Sequence, residues 1–387
     1  MKKIRVGIIG CGGRVRYVAQ NLLKQSPNIQ VIGLSDPSLV SIKKSLKALN
    51  PEAVVYSDYR KLLAQKDIDW VMIGSWNCFH KEQTVAAFKA GKNVFCEKPL
   101  ATTVEDCVAM REAWQRSGKF FNIGFTLRYS PHYRKVKELL SKGVVGDIIS
   151  MEFNETIGYS HGGFIMRDWR RLQKYAGTHL LEKCSHDIDL VNWMDESRAK
   201  KVASFGGTDF FLPKNKKYVS RVGKDPFGGK AYMGWPSPFN LNPFTVKKDI
   251  IDNQVAIIEY ENGVRATFHA NCNAGILERR MYICGTEGAL RADVTTGSIE
   301  IAKIGPGRKQ YSNAEIKKLP VAASGGHGGG DEVLAKELAE TMFKGTAPKA
   351  GLMDGLLSAI TCFGIDKAMN DCKVVDMKAL WKKAGIR

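Results

Sequence analysis

The chain has 387 residues, 44% of them apolar and 25% charged, with a formal net charge of +19. That size implies two domains with well-formed cores; no run approaches a membrane span, and Met1-Lys2-Lys3-Ile4-Arg5-Val6-Gly7 enters a strand too soon for a signal peptide. Nine cysteines without a CxxC pair suit cytoplasmic thiols, not a disulfide framework or structural zinc, and the scattered basic residues bring no nucleic-acid motif.

The first 125 residues alternate apolar runs with amphipathic stretches. The runs are 4–9, 29–34, 53–56, 70–73, 93–96 and 120–123; the stretches are 15–24, 39–49, 59–64, 81–90 and 104–117. Strand, helix, strand at this spacing predicts a doubly wound parallel sheet. The first run leads into Gly10-Cys11-Gly12-Gly13-Arg14-Val15. Glycines there permit a tight turn and let backbone N–H groups approach a pyrophosphate at the helix N-terminus. The third position of the GxGxxG pattern is Val15, which predicts slightly wider packing of helix on strand. Asp36 ends the second run, 24 positions beyond Gly12. Its carboxylate suits ribose hydroxyls and repels a 2′-phosphate, so NAD is favoured. Arg14, Arg16 and Lys43 leave NADP open.

The run Asn93-Val94-Phe95-Cys96 ends in Glu97-Lys98-Pro99. A lysine at that strand tip lies where open α/β sheets place their chemistry. Its ammonium suits a hydrogen bond to a substrate hydroxyl, and Lys98-Pro99 is a candidate cis bond. An ordinary turn with a solvated lysine fits the same three residues.

After Gly124 the texture changes. Ser130-Pro131 opens a basic amphipathic helix to about residue 142, and alternating runs follow at 147–154, 254–261, 265–271, 280–284 and 289–293. Asn262-Gly263 between two of them is a hairpin signal. Strands without intervening helices predict a mostly antiparallel open sheet and a second, α+β domain over 126–387, after a first domain over 1–125. The stretch 211–248, rich in Gly, Pro, Lys and aromatics, reads as a long insertion loop. Gly325 to Gly330 is a second break. Helices at 331–343 and 353–369 close the chain and are placed to pack back on the first domain.

The chain resembles the glucose-fructose oxidoreductase / inositol dehydrogenase / rhizopine-catabolism oxidoreductase family. The matching residues are Val6 to Gly13, Asn77-Cys78-Phe79-His80, Ala90 to Ala101, Gly124 to Pro131, Gly143 to Asp147, His186-Asp187-Ile188-Asp189-Leu190 and Gly285 to Gly288. They span most of the chain in the family's order. The resemblance implies a Rossmann domain followed by a domain on a large open sheet, whose face often joins dimers or tetramers. It implies hydride transfer between a nicotinamide and a ring carbon of a sugar or cyclitol. It assigns Lys98 and His186 to proton handling. Many members have an aspartate four residues before that histidine; here the position is Glu182, followed by Lys183. Ser75-Trp76-Asn77 stands where Thr-Pro-Asn is common. The cofactor side is therefore read as Gly10, Gly12, Gly13, Arg14, Val15, Asp36, Ser75, Trp76, Asn77, His80, Glu97 and Lys98.

Alcohol oxidation needs a hydride acceptor, a base and groups that hold the substrate. Histidine suits the proton, and a lysine on the same oxygen stabilises alkoxide charge. Glu182 and His186 are four apart and share a helix face, with Asp189 adjoining. Such a set also describes a satisfied buried cluster or a metal site; no metal is expected. Tyr159, His161, Arg167, Trp169 and Arg170 precede the histidine and are plausible sugar contacts, since arginine forks suit oxygen-rich ligands. Arg128 follows the first domain directly, and His327 lies in the glycine-rich break. The substrate-binding set is thus Arg128, Tyr159, Arg167, Trp169, Lys183, Asp189 and His327.

The expected partner is a small carbohydrate or cyclitol, with an anionic one left open by the basic charge, and the expected assembly is a homodimer or homotetramer. Two alternatives stand beside the dehydrogenase. One is redox-assisted glycoside cleavage with recycled NAD. The other is a sugar- and nucleotide-sensing protein without turnover.

Overall fold

Short, fully apolar runs bury both faces of a strand, which is what a parallel sheet covered by helices requires. Strands β1 (Ile4–Ile9), β2 (Ile29–Ser35), β3 (Val54–Val55), β4 (Trp70–Ile73), β5 (Asn93–Cys96) and β6 (Phe121–Ile123) form a six-stranded sheet in the order β3-β2-β1-β4-β5-β6. All its pairings are parallel. The order reverses between β1 and β4, so the switch point of the sheet lies at the end of β1. The helices between the strands have local stops and starts. Thr103 caps the Val104–Ser117 helix through the Asp106 N–H, and Gly118 ends it with φ +62°. The computed structural model describes residues 3–226, 228–305, 317–320 and 326–386.

A second sheet is built from β7 (Ile148–Gly158), β8 (Ala199–Gly207), β9 (Asn253–Tyr260), β10 (Arg265–Ala274), β11 (Arg280–Gly285), β12 (Gly288–Asp293), β13 (Ser298–Lys303), β14 (Lys317–Pro320) and β15 (Val375–Asp376). Their order is β14-β13-β12-β11-β7-β10-β9-β8-β15. β7 and β10 pair in parallel; the other pairings are antiparallel. Gly263, with φ +90°, turns β9 into β10 at the predicted hairpin. β8 escapes sequence reading because Lys200, Lys201, Gly206 and Gly207 dilute its strand signal. β13 turns Ile299 and Ile301 inward over too few residues to stand out.

The chain divides into two units, Met1–Ser130 with Gly325–Ala359 and Lys383–Ile386, and Pro131–Ser324 with Ile360–Lys382. The first holds the parallel sheet and the second the mixed one. Gly325, at the start of the predicted second break, lies outside the described residues.

The insertion 211–248 is more than a loop. Phe211, Tyr232 and Phe244 are buried in a core of their own with Ile165, Met166 and Cys272. At its root the Asp252 carboxylate accepts from the N–H groups of Asp209, Phe210 and Phe211. No helix among the described residues is long and apolar enough to cross a membrane. The nine cysteines are thiols, with no disulfide among the described residues.

Candidate active site

The first unit builds a dinucleotide cradle from the end of β1. Gly10 has φ +78°, and a Cβ there would lie 2.3 Å from the Ser75 nitrogen. Only glycine lets the turn approach that closely. Gly12 and Gly13 face open space: a Cβ on either would meet nothing nearer than 3.8 Å. The helix Gly13–Leu23 begins with no side-chain cap and no acidic residue in its first turn. Its first N–H groups are thus offered to an anion. Val15, expected to widen the packing of helix on strand, meets a gap in the turn after β4. Residue 74 opposite is glycine, and a Cβ there would sit 2.4 Å from Val15 Cβ. The bulk missing at Gly74 makes room for the valine.

Asp36 follows β2 and is half-buried. Its two carboxylate oxygens accept from the Cys11 and Ser38 N–H groups, each at 2.6 Å. Each oxygen keeps a lone pair for a ribose hydroxyl. The open glycines, the uncapped helix and this carboxylate together fit a dinucleotide.

Beyond β4, the Ser75 hydroxyl donates to Gln83 Oε1 at 2.7 Å, and Asn77 is buried while Trp76 is half-buried. His80 is fully buried between two backbone carbonyls: Nδ1 is 2.8 Å from Pro99 O and Nε2 is 3.2 Å from Ser75 O. Burial lowers its pKa, and both ring nitrogens face carbonyl acceptors. His80, expected beside the cofactor, joins the Ser75 segment to the turn after Lys98. Lys98 is half-buried, and Lys98-Pro99 is cis.

Arg14 and His327 are both paired within the first unit. Arg14 Nε donates to Glu97 Oε1 at 3.0 Å, Nη1 to Asp331 Oδ1 at 2.6 Å and Nη2 to Thr126 Oγ1 at 2.7 Å. Its fork is taken up by protein. His327 Nδ1 lies 2.9 Å from the other Asp331 oxygen. Burial pushes the Asp331 carboxyl up, but His327 and Arg14 outweigh it and hold it below its ordinary value. Arg128 is buried and is likewise paired, with Asp354 Oδ1 at 2.8 Å. Thr126, Asp331 and Asp354 carry no local sequence signal for these roles.

In the second unit the helix His179–Asp195 is started by Thr178, whose hydroxyl accepts from the Leu181 N–H. It buries Glu182, His186 and Asp189. Glu182 Oε1 accepts from Arg170 Nε at 2.9 Å, and Arg170 Nη1 also donates to Asp168 Oδ1 at 2.7 Å. Lys183 is salt-bridged to Glu155 of β7. Arg279 pairs with Asp187 through two hydrogen bonds, at 2.7 and 3.0 Å, and reaches Glu155 at 2.6 Å. Burial raises the Glu155 carboxyl, but Arg279 and Lys183 reverse this and hold it well below its usual value. Asp187 is pushed up by burial and by the neighbouring Glu155 charge, which Arg279 only partly offsets. Glu155 and Arg279 are what sequence reading missed. The only pointer was that Lys183, on a buried helix face, needs a partner.

Glu155, Cys184 and Asp187 offer ligand atoms within 4.8 Å of one another. They do not suit a metal ion. Arg279 and Lys183 already neutralise the carboxylates, and burial keeps the Cys184 thiol protonated.

Of the remaining predicted sugar contacts, Arg167 donates to the carbonyls of Met233, Trp235 and Phe239. Trp169 lies under the Arg170 guanidinium at 4.4 Å. Tyr159 packs edge-on against Tyr232, with ring centres 5.1 Å apart.

Two family profiles match the chain in tandem. Residues 4–125 match the oxidoreductase family with an NAD-binding Rossmann fold, and residues 133–291 match the GFO/IDH/MocA C-terminal domain. The chain belongs to the GFO/IDH/MocA oxidoreductase family. One relative in the family is an inositol 2-dehydrogenase/D-chiro-inositol 3-dehydrogenase of Shouchella clausii, 26% identical over 74% of this chain and 71% of its own. Among solved structures, a levoglucosan dehydrogenase in complex with NADH and levoglucosan superposes with a TM-score of 0.77 at 20% identity, over 97% of this chain and 99% of that one. A myo-inositol 2-dehydrogenase from Lactobacillus plantarum superposes at 0.73, with the same identity and coverage.

Proposed function

We propose that this GFO/IDH/MocA member is an NAD-dependent dehydrogenase that oxidises a ring hydroxyl of a sugar or cyclitol. One observation carries the reading. The uncapped glycine turn and Asp36 form a dinucleotide cradle, and Arg14 ties that turn to the strand end bearing Lys98. The activities named for the inositol and levoglucosan dehydrogenases support the substrate class. NAD, when bound, would supply the hydride acceptor. Residues 1–125 are proposed to hold it and 126–387 to hold substrate. Asp36 accepts from the ribose, and the first-turn N–H groups take the pyrophosphate. Lys98 donates to the substrate hydroxyl oxygen and steadies negative charge there. His186 takes the hydroxyl proton. Glu182, paired to Arg170, acts on hydroxyl binding rather than as the base.

The test is Lys98→Met. Turnover should fall by about 10²–10⁴-fold, while NAD still binds as in the parent, measured by fluorescence titration. Near-normal turnover sinks the assignment. Release of a glycosidic leaving group at constant NADH in the parent enzyme would favour redox-assisted cleavage instead. Tight NAD binding with neither reaction would favour a sensor.

A second copy of the chain is proposed to cover the open face of the mixed sheet. Phe205, 74% exposed, lies opposite Val255, and Ile257 is next in that row's register at 58% exposed. An apolar stripe of this kind on a regular sheet calls for a partner. Sedimentation showing a monomer at micromolar concentration would refute it. The thiol state of the cysteines supports a cytoplasmic location.

A further inference from the structure

We propose that His161, propped flat against Trp235, is a specificity residue that hydrogen-bonds a hydroxyl of an uncharged polyol. The inference rests on the dehydrogenase reading and narrows its substrate class.

His161 lies in the helix Tyr159–Ile165. Its ring stacks on Trp235 with centres 4.3 Å apart and planes 14° apart. Among the described residues no hydrogen bond reaches either ring nitrogen. The stack sets the plane of the imidazole and leaves its polar edge unused. Trp235 is itself held in place. Arg167 donates to the carbonyls of Met233 and Trp235, Ser237 reaches Asp168 Oδ2 at 3.4 Å, and the Phe164 ring lies 5.7 Å away. The insertion is anchored on both sides of the indole.

The charges around His161 decide what it can read. Its charged neighbours are Lys183, Glu155, Glu182 and Arg170. Lys183 is matched by Glu155, and Arg170 by Glu182 and Asp168. Arg279 also reaches Glu155 and pairs with Asp187, so three cations face four carboxylates and an incoming carboxylate finds no spare cation there. Burial first, and Lys183 second, push the imidazole down to about 3. The ring is neutral at any working pH, with one donor and one acceptor. A hydroxyl has the same pair of capacities and satisfies both. Glu182 lies one turn before His186, so His161 borders the helix face proposed to carry the proton acceptor.

The probes are myo-inositol, glucose and glucuronate, offered to the NAD-loaded protein. His161→Phe keeps the stack and removes both nitrogens. KM for the better neutral probe should rise at least tenfold, with kcat changed less than threefold and NAD affinity unchanged, because a site built to bond a hydroxyl loses discrimination without its partner. His161→Gln should recover part of the loss. Trp235→Ala should raise the same KM, since the imidazole loses its support. An unchanged KM in His161→Phe overturns the inference, and so does a parent enzyme that prefers glucuronate to glucose. Calorimetry on the same probes separates this from the dehydrogenase reading. Neutral-polyol binding that weakens tenfold in His161→Phe, with no NADH formed by any variant, upholds the inference and sinks the reading. No binding of either neutral probe to the parent protein overturns the inference.

Discussion

Arg14 Nε donates to Glu97 Oε1 at 3.0 Å and so fastens the glycine turn to the strand tip that carries Lys98. The same guanidinium reaches Asp331, 317 residues on, at the start of the Gly330–Lys344 helix. One arginine therefore joins the cofactor turn, the lysine turn and a late helix of the same unit.

Removing it should be costly. Arg14→Met leaves the buried Glu97 carboxylate without its cation and Asp331 with His327 as its remaining partner. The arginine side chain is 30% exposed, so solvent screens part of the effect, and a loss of about 2–3 kcal/mol is expected. Urea denaturation measures it. Arg14→Lys should recover less than half, because an ammonium cannot span three acceptors in a fixed fork. An unshifted midpoint in the methionine variant refutes the joint.

Asp36 holds the Cys11 and Ser38 N–H groups and faces the place of the ribose. Asp36→Asn keeps an acceptor but removes the charge that repels a 2′-phosphate. The ratio of kcat/KM for NAD over NADP should fall at least tenfold. A constant ratio would reduce Asp36 to a turn-holding residue.

Asp366 makes stability depend on pH. It is buried and accepts from Thr178 and Gln254. Burial, only partly offset by those bonds, pushes its carboxyl up to about 6 from 3.8. The folded chain then binds more protons than the unfolded one between these values. This contribution to stability is greatest below pH 4 and is lost as pH rises through about 6. Asp366→Asn should abolish that slope and stabilise the protein at pH 8, by about 1–3 kcal/mol from a shift of roughly two units. Thermal melts across pH 4 to 8 check it; destabilisation at pH 8 contradicts it.

The parallel sheet was legible because its signals are local. Each run such as Trp70–Ile73 is continuous and apolar, and each intervening helix repeats at its own period. The Asn262-Gly263 hairpin was legible for the same reason. Ala199–Gly207 was not, because its strand character comes from pairing with β9 and its own residues are poor strand formers. The space for Val15 was not legible, because the residue that leaves it, Gly74, is 59 positions away and on another strand's end.

By itself the sequence determined the two sheets, the glycine turn with Asp36 behind it, and the placing of Lys98 at a strand tip. Those follow from residue period and turn chemistry over a few neighbouring positions. The tertiary structure alone decided where the charges go. Arg14 is spent on Glu97 and Asp331, Arg170 on Glu182 and Asp168, and Lys183 on Glu155. Burial makes an unpaired charge expensive, so each of these groups takes the opposite charge that folding brings within reach. Most of those partners come from distant chain segments, so no local pattern could name them.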